Sequence, residues 1–118
     1  MSVHVERRKR YSSGLRSYIL HDFETEFPIR KCMVDFTRAG SVIAENGHYS
    51  ITVFFDTEAE KVGFLQSEKE QFESSCNDWI ENNVTEMGFN AETVRVFDYG
   101  SVEDIEANHG GDYVWDLH

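Results

Sequence analysis

Apolar and polar residues alternate over Lys31 to Thr37: Cys32, Val34 and Phe36 fall on one side, Met33, Asp35 and Thr37 on the other. A period of two turns successive side chains to opposite faces, so this stretch predicts a half-buried β-strand. Ala39-Gly40 marks a turn or bulge. Ser41 to Glu45 then reads as resumed strand, and His48 to Phe55, rich in β-branched and aromatic residues, as another. Asn46-Gly47 lies between these two runs and predicts a tight hairpin, because both residues tolerate the positive φ of a type I′ turn.

Gly14 to Phe23 fits two patterns. Leu15, Ile19 and Phe23 have helical spacing. Strict alternation also places Leu15, Ser17, Ile19, His21 and Phe23 on one strand face, with Tyr18 and Leu20 opposite, and strand is the reading adopted. Phe27-Pro28 breaks the pattern, since the only proline biases Phe27 toward extended backbone. Residues 1–13 read as a loosely held start.

After Asp56 the period becomes helical. Thr57-Glu58-Ala59-Glu60 fits a capping box, and Ser67-Glu68-Lys69-Glu70 fits a second one ten residues on. Phe72, Cys76, Trp79, Ile80, Val84 and Met87 form one apolar face, with Glu70, Asp78 and Glu81 opposite. Met87-Gly88-Phe89 reads as a glycine-terminated stop. One unbroken helix over 58–87 would run ~45 Å. That overhangs a domain whose expected radius of gyration is ~13–14 Å, so a break near Ser67 is expected.

Thr93 to Tyr99 predicts a further strand, with Val94 and Val96 on one face and Phe97 and Tyr99 on the other. Ser101 to Ala107 fits a helical turn capped by Ser101, Asn108 to Gly111 a turn, and Asp112 to His118 a last strand. Strands grouped before and after one helical segment predict an α+β fold. The expected form is an antiparallel sheet of about 4–6 strands, the Asn46-Gly47 hairpin among them, covered on one face by the segment 58–87. The 118 residues suit one domain over 1–118, and 40% hydrophobic with 14% aromatic content supplies a core for it. No apolar run reaches the ~18 residues of a membrane span, and no apolar stretch follows the charged start, so neither membrane anchoring nor a secretory signal is expected.

Charge changes the picture more than composition does. The formal net charge is −11, and it is unevenly spread. Residues 1–38 hold eight bases and five acids; residues 39–118 hold three bases, Lys61, Lys69 and Arg95, and seventeen acids. A one-signed surface steers an oppositely signed partner, although any acidic surface also serves solubility. Direct nucleic-acid binding is not expected of such a balance.

Candidate chemistry is sparse. The two cysteines, Cys32 and Cys76, show no zinc-type spacing; they read as small buried hydrophobes in a reducing cytoplasmic setting, with a single disulfide as the alternative. No nucleophile elbow, phosphate-binding glycine loop or dinucleotide fingerprint occurs. His109, Asp112, Asp116 and His118 bring imidazole and carboxylate donors to one stretch, and the competing reading is a solvated edge strand. No metal or cofactor is expected. Phe54, Tyr99, Tyr113 and Trp115 sit on strands with aromatics on more than one face, which makes some of them surplus to one core; Tyr and Trp framed by acids make good protein anchors, and the competing reading is core packing.

The expected function is therefore non-enzymatic: an acidic protein-binding inhibitor that blocks a basic site on a nucleic-acid-processing protein or toxin. Immunity proteins and phage anti-defence proteins of the anti-CRISPR or anti-restriction kind are analogues of size and charge. Glu70, Asp78, Glu81, Tyr113 and Trp115 are the expected partner surface. A small metal-dependent hydrolase using the C-terminal His/Asp cluster and an oligomeric assembly component are the alternatives.

Overall fold

A computed structural model describes residues 3–42, 45–84 and 87–109. The elements in order are α1 (Val3–Ser17), β1 (Ile29–Thr37), β2 (His48–Phe55), α2 (Glu58–Ser67), α3 (Lys69–Asn83), β3 (Val94–Ser101) and α4 (Val102–His109). Helices and sheet together make the fold α+β.

The chain is helical from Val3, where a loose start followed by a strand was expected. Helix α1 ends in a π-helical turn over Tyr18–Asp22, closed by the Phe23 N–H donating to the Tyr18 carbonyl at 2.9 Å. The strand reading of Gly14 to Phe23 fails because steps of four residues satisfy both periods. Polar residues break the tie: Ser17 and His21, on the supposed core face, are exposed, while Leu15 and Ile19 are buried.

The sheet has three described strands in the order β1-β2-β3, and it is mixed, not antiparallel with four to six strands. Strands β1 and β2 pair antiparallel with Cys32 opposite Val53, Val34 opposite Ile51 and Phe36 opposite Tyr49. The pairing is joined by residues 38–47, a longer connection than the two-residue turn expected at Asn46-Gly47. Residues 41 and 42 are bends, not strand. Gly47 does take a positive φ of 82°, within this longer connection, and a Cβ there would also come within 2.7 Å of the Phe89 ring.

Strand β3 runs parallel to β2, with Ile51 opposite Phe97 and Val53 opposite Tyr99. A parallel neighbour needs a crossover of a dozen or more residues, and α2 and α3 provide it. They do so while burying Phe64, Phe72, Cys76 and Ile80 on the sheet. Helix α1 adds Leu15 and Ile19 to the same core, so α1, α2 and α3 cover one face. An aromatic chain fills it: Phe23 lies 5.3 Å from Phe72, Phe72 lies 5.4 Å from Phe64, and Phe64 lies 4.8 Å from Phe55. The other face carries Met33, Asp35, Ser50, Thr52, Val96 and Asp98, half-buried or exposed. Phe54 also points there yet is buried, its ring set against Gly100.

The helical segment is broken where expected. Helix α2 carries the complete Thr57–Glu60 capping box, with the Thr57 hydroxyl accepting from the Glu60 N–H at 3.1 Å. The second box does not form. Ser67 donates instead to the Gly63 carbonyl at 2.7 Å, and Glu68 stands at the N-cap of α3 with a non-helical backbone. Its carboxylate accepts from the Thr25 hydroxyl at 2.6 Å and the Glu26 N–H at 3.2 Å, so a tertiary contact fixes the break. Helix α3 ends at Asn83, short of the expected Met87. Gly88 takes a positive φ of 74°, past the helix end. The last expected strand, Asp112 to His118, lies outside the described residues.

Candidate functional site

Helix α3 sorts its residues by angle. Phe72, Cys76 and Ile80 are buried, and Trp79 is half-buried, with its ring against Gly14 of α1. Glu70, Asp78 and Glu81 are exposed on the opposite side. At 1.5 Å per residue, Glu70 and Glu81 stand roughly 16 Å apart along one ridge. The helix has one base, Lys69, at its first position. Its fourth acid, Glu73, is withdrawn from the ridge, because the Tyr99 hydroxyl donates to it at 2.7 Å. Tyr99 is therefore tied to the core, and burial followed by this contact with Glu73 pushes its phenol pKa up. Tyr113 and Trp115, expected to share the surface, lie outside the described residues.

Helix α4 adds Glu103, Asp104 and Glu106, all exposed. Its N-terminus is capped as expected, with the Asp104 N–H donating to the Ser101 hydroxyl oxygen at 3.0 Å. The Ser101 hydroxyl donates to Glu58 at 2.6 Å, and Glu103 accepts from the Glu58 N–H at 3.2 Å. These bonds join the starts of α2 and α4.

Glu81 also borders a cleft of roughly 310 Å³ between α3, the loop 89–93 and the first residues of β2 and β3. Ile80 and Val84 line its apolar floor, and Tyr49, Asn77 and Arg95 contribute polar groups. The Tyr49 hydroxyl donates to the Asn77 side-chain oxygen. Burial pushes the Tyr49 phenol up to about 12, with Arg95 lowering it and nearby carboxylates, Glu81 among them, raising it. It stays a donor near neutral pH. The loop is tied down: the Asn90 side chain accepts from the Glu92 N–H at 2.8 Å, and Thr93 accepts from the Asn90 N–H at 2.8 Å while donating to the Asn46 carbonyl at 3.0 Å. Arg95 reaches the Asn90 carbonyl at 3.5 Å.

This cleft escaped the sequence reading, although one signal was present. Alternation through Phe97 and Tyr99 puts Arg95 on the aromatic, helix-facing side of β3. A charged residue in a core-facing register has a local reason.

The thiols are free and buried. Burial pushes Cys32 up to about 12 and Cys76 higher still, which removes the thiolate a nucleophile needs. Of the proposed metal donors, His109 ends α4, and Asp112, Asp116 and His118 lie outside the described residues. Among the described residues no three His, Cys, Asp or Glu side chains are grouped to hold a metal ion. No described helix is long and apolar enough to cross a membrane.

No protein-family model, curated protein or solved structure matches the chain.

Proposed function

We propose that this protein is a non-catalytic binding module whose acidic helical face occupies a basic site on another protein. The observation that carries this reading is the α3 ridge: Glu70, Asp78 and Glu81 are exposed on the face opposite its core contacts, and the single base of the helix sits at its first residue. Carboxylates held along a rigid helix steer a cationic partner and reject an anionic one. Basic sites of this kind line the nucleic-acid channels of nucleases, so a toxin or a nucleic-acid-processing defence protein is the partner class proposed. An inhibitor needs only to fill such a channel, and no cofactor enters the reading.

The test begins with capture of a basic partner from host lysate with nuclease present. The on-rate is then measured for the native chain and for the triple variant Glu70→Lys, Asp78→Lys, Glu81→Lys. Loss of steering is expected to slow association at low salt by about tenfold or more. Circular dichroism is expected to stay unchanged, because all three side chains are exposed. An unchanged on-rate would place the interface elsewhere and overturn the reading.

A further inference from the structure

The cleft at the corner of α3 and β3 does not belong to the acidic ridge, although Glu81 borders both. It has three properties that select a ligand. Its volume of roughly 310 Å³ is at the small end of ligand pockets, which run ~300–1,000 Å³. Its accessible apolar wall is the half-buried Phe89 ring, backed by Ile80 and Val84, which are almost fully buried. It also presents opposite charges, the Arg95 guanidinium and the Glu81 carboxylate, neither of which is in an ion pair among the described residues.

We infer that this cleft binds a small zwitterion of the free α-amino-acid class, its carboxylate on Arg95, its ammonium group on Glu81 and its apolar side chain against Phe89. Opposite charges on one small cleft discriminate by what they repel. A phosphate or dicarboxylate meets Glu81, and a diamine meets Arg95. The Asn77 side-chain oxygen is taken by the Tyr49 hydroxyl, which leaves the Asn77 amide N–H groups as further donors toward a carboxylate. The walls are formed before the ligand arrives. Phe89 packs 5.7 Å from Tyr49 and 5.9 Å from Phe36, and the bonds of Asn90 and Thr93 hold the loop that leads to Arg95. Preformed walls reduce the ordering cost of binding.

The test is a titration of isotope-labelled protein followed by amide chemical shifts, with L-leucine and L-phenylalanine as probes. Saturable shifts are expected in residues 77–84 and 89–95, with a Kd below about 1 mM. Two analogues each lack one charge: 4-methylpentanoate and 3-methylbutylamine. Both are expected to bind at least about tenfold more weakly, as are the native probes to Arg95→Gln and to Glu81→Gln. Arg95→Gln is also expected to leave the on-rate for the protein partner unchanged, which separates this site from the acidic ridge. Absence of saturable shifts up to about 10 mM, shifts centred elsewhere, or equal binding of either analogue would overturn the inference.

Discussion

At the residue scale, the two capped helix starts are the most exposed to simple tests. The Thr57 hydroxyl satisfies the Glu60 N–H, and Glu60 returns a bond to the Thr57 backbone N–H at 3.2 Å. Thr57→Ala removes the hydroxyl half of this exchange and is expected to cost about 1 kcal/mol, read as a lower urea midpoint. Glu58 carries a pH signature. The Ser101 hydrogen bond, and then that of Lys61 with its ion pair at 2.9 Å, hold the Glu58 carboxyl below its ordinary value of 4.5. A depressed carboxylate adds stability that is fully present above that ordinary value and is lost as pH falls through the folded-state value. Glu58→Gln is therefore expected to lower the urea midpoint near neutral pH, with the gap from native protein closing in acid. A gap that persists at low pH would show that the charge was not involved. Cys32 and Cys76 offer a third reading at this scale. Both thiols are buried with raised pKa values, so native protein is expected to resist a disulfide reagent that modifies both rapidly in denaturant.

At the element scale, close approaches decide what the helices can carry. Gly63, inside α2, faces the Phe27 ring so closely that a Cβ would overlap it. Gly63→Ala would normally favour a helix by removing backbone freedom. Here it is expected to cost about 1–3 kcal/mol of overpacking, with the loss read by thermal unfolding. A stabilised variant would show that Phe27 swings away freely. The same elements show where sequence patterns stop being legible. The Thr57–Glu60 box was readable because its bonds span three residues. Ser67–Glu70 has the same pattern and fails, because Glu68 is drawn 43 positions back along the chain to Thr25. Leu15, Ile19 and Phe23 fit helix and strand alike, and the fold resolves them by burying Leu15 and Ile19 while leaving Ser17 and His21 exposed.

At the scale of the whole molecule, β3 lies parallel to β2 and leaves one sheet face without a helical cover from α1, α2 or α3. Glu70, Asp78 and Glu81 on α3 and Glu103, Asp104 and Glu106 on α4 are exposed acids of residues 39–118, while α1, with Lys9, Arg10 and Arg16 exposed, sits over β1. Such polarity makes association with a cationic partner fall as salt rises, since the Debye length shrinks from ~30 Å at 0.01 M to ~8 Å at 0.15 M. The triple reversal on α3 is expected to flatten that salt dependence as well as slow the on-rate. A salt-independent on-rate in the native chain would remove electrostatic steering from the account.

Composition alone determined the imbalance of charge, and short-range patterns in the sequence determined the alternation of β1, the strand at β2, the faces of β3, the apolar stripe of α3, the cap on α2 and the Ser101 cap on α4. Each of these patterns depends on residues within about one turn or one pleat of each other. The tertiary structure decided the helical start, the direction of β3, the failure of the second box and the cleft beside Arg95. Strand direction leaves no mark on a strand's own pattern. A cleft assembled from Tyr49, Asn77, Glu81 and Arg95 exists only once three elements have packed, because no local spacing brings those side chains together.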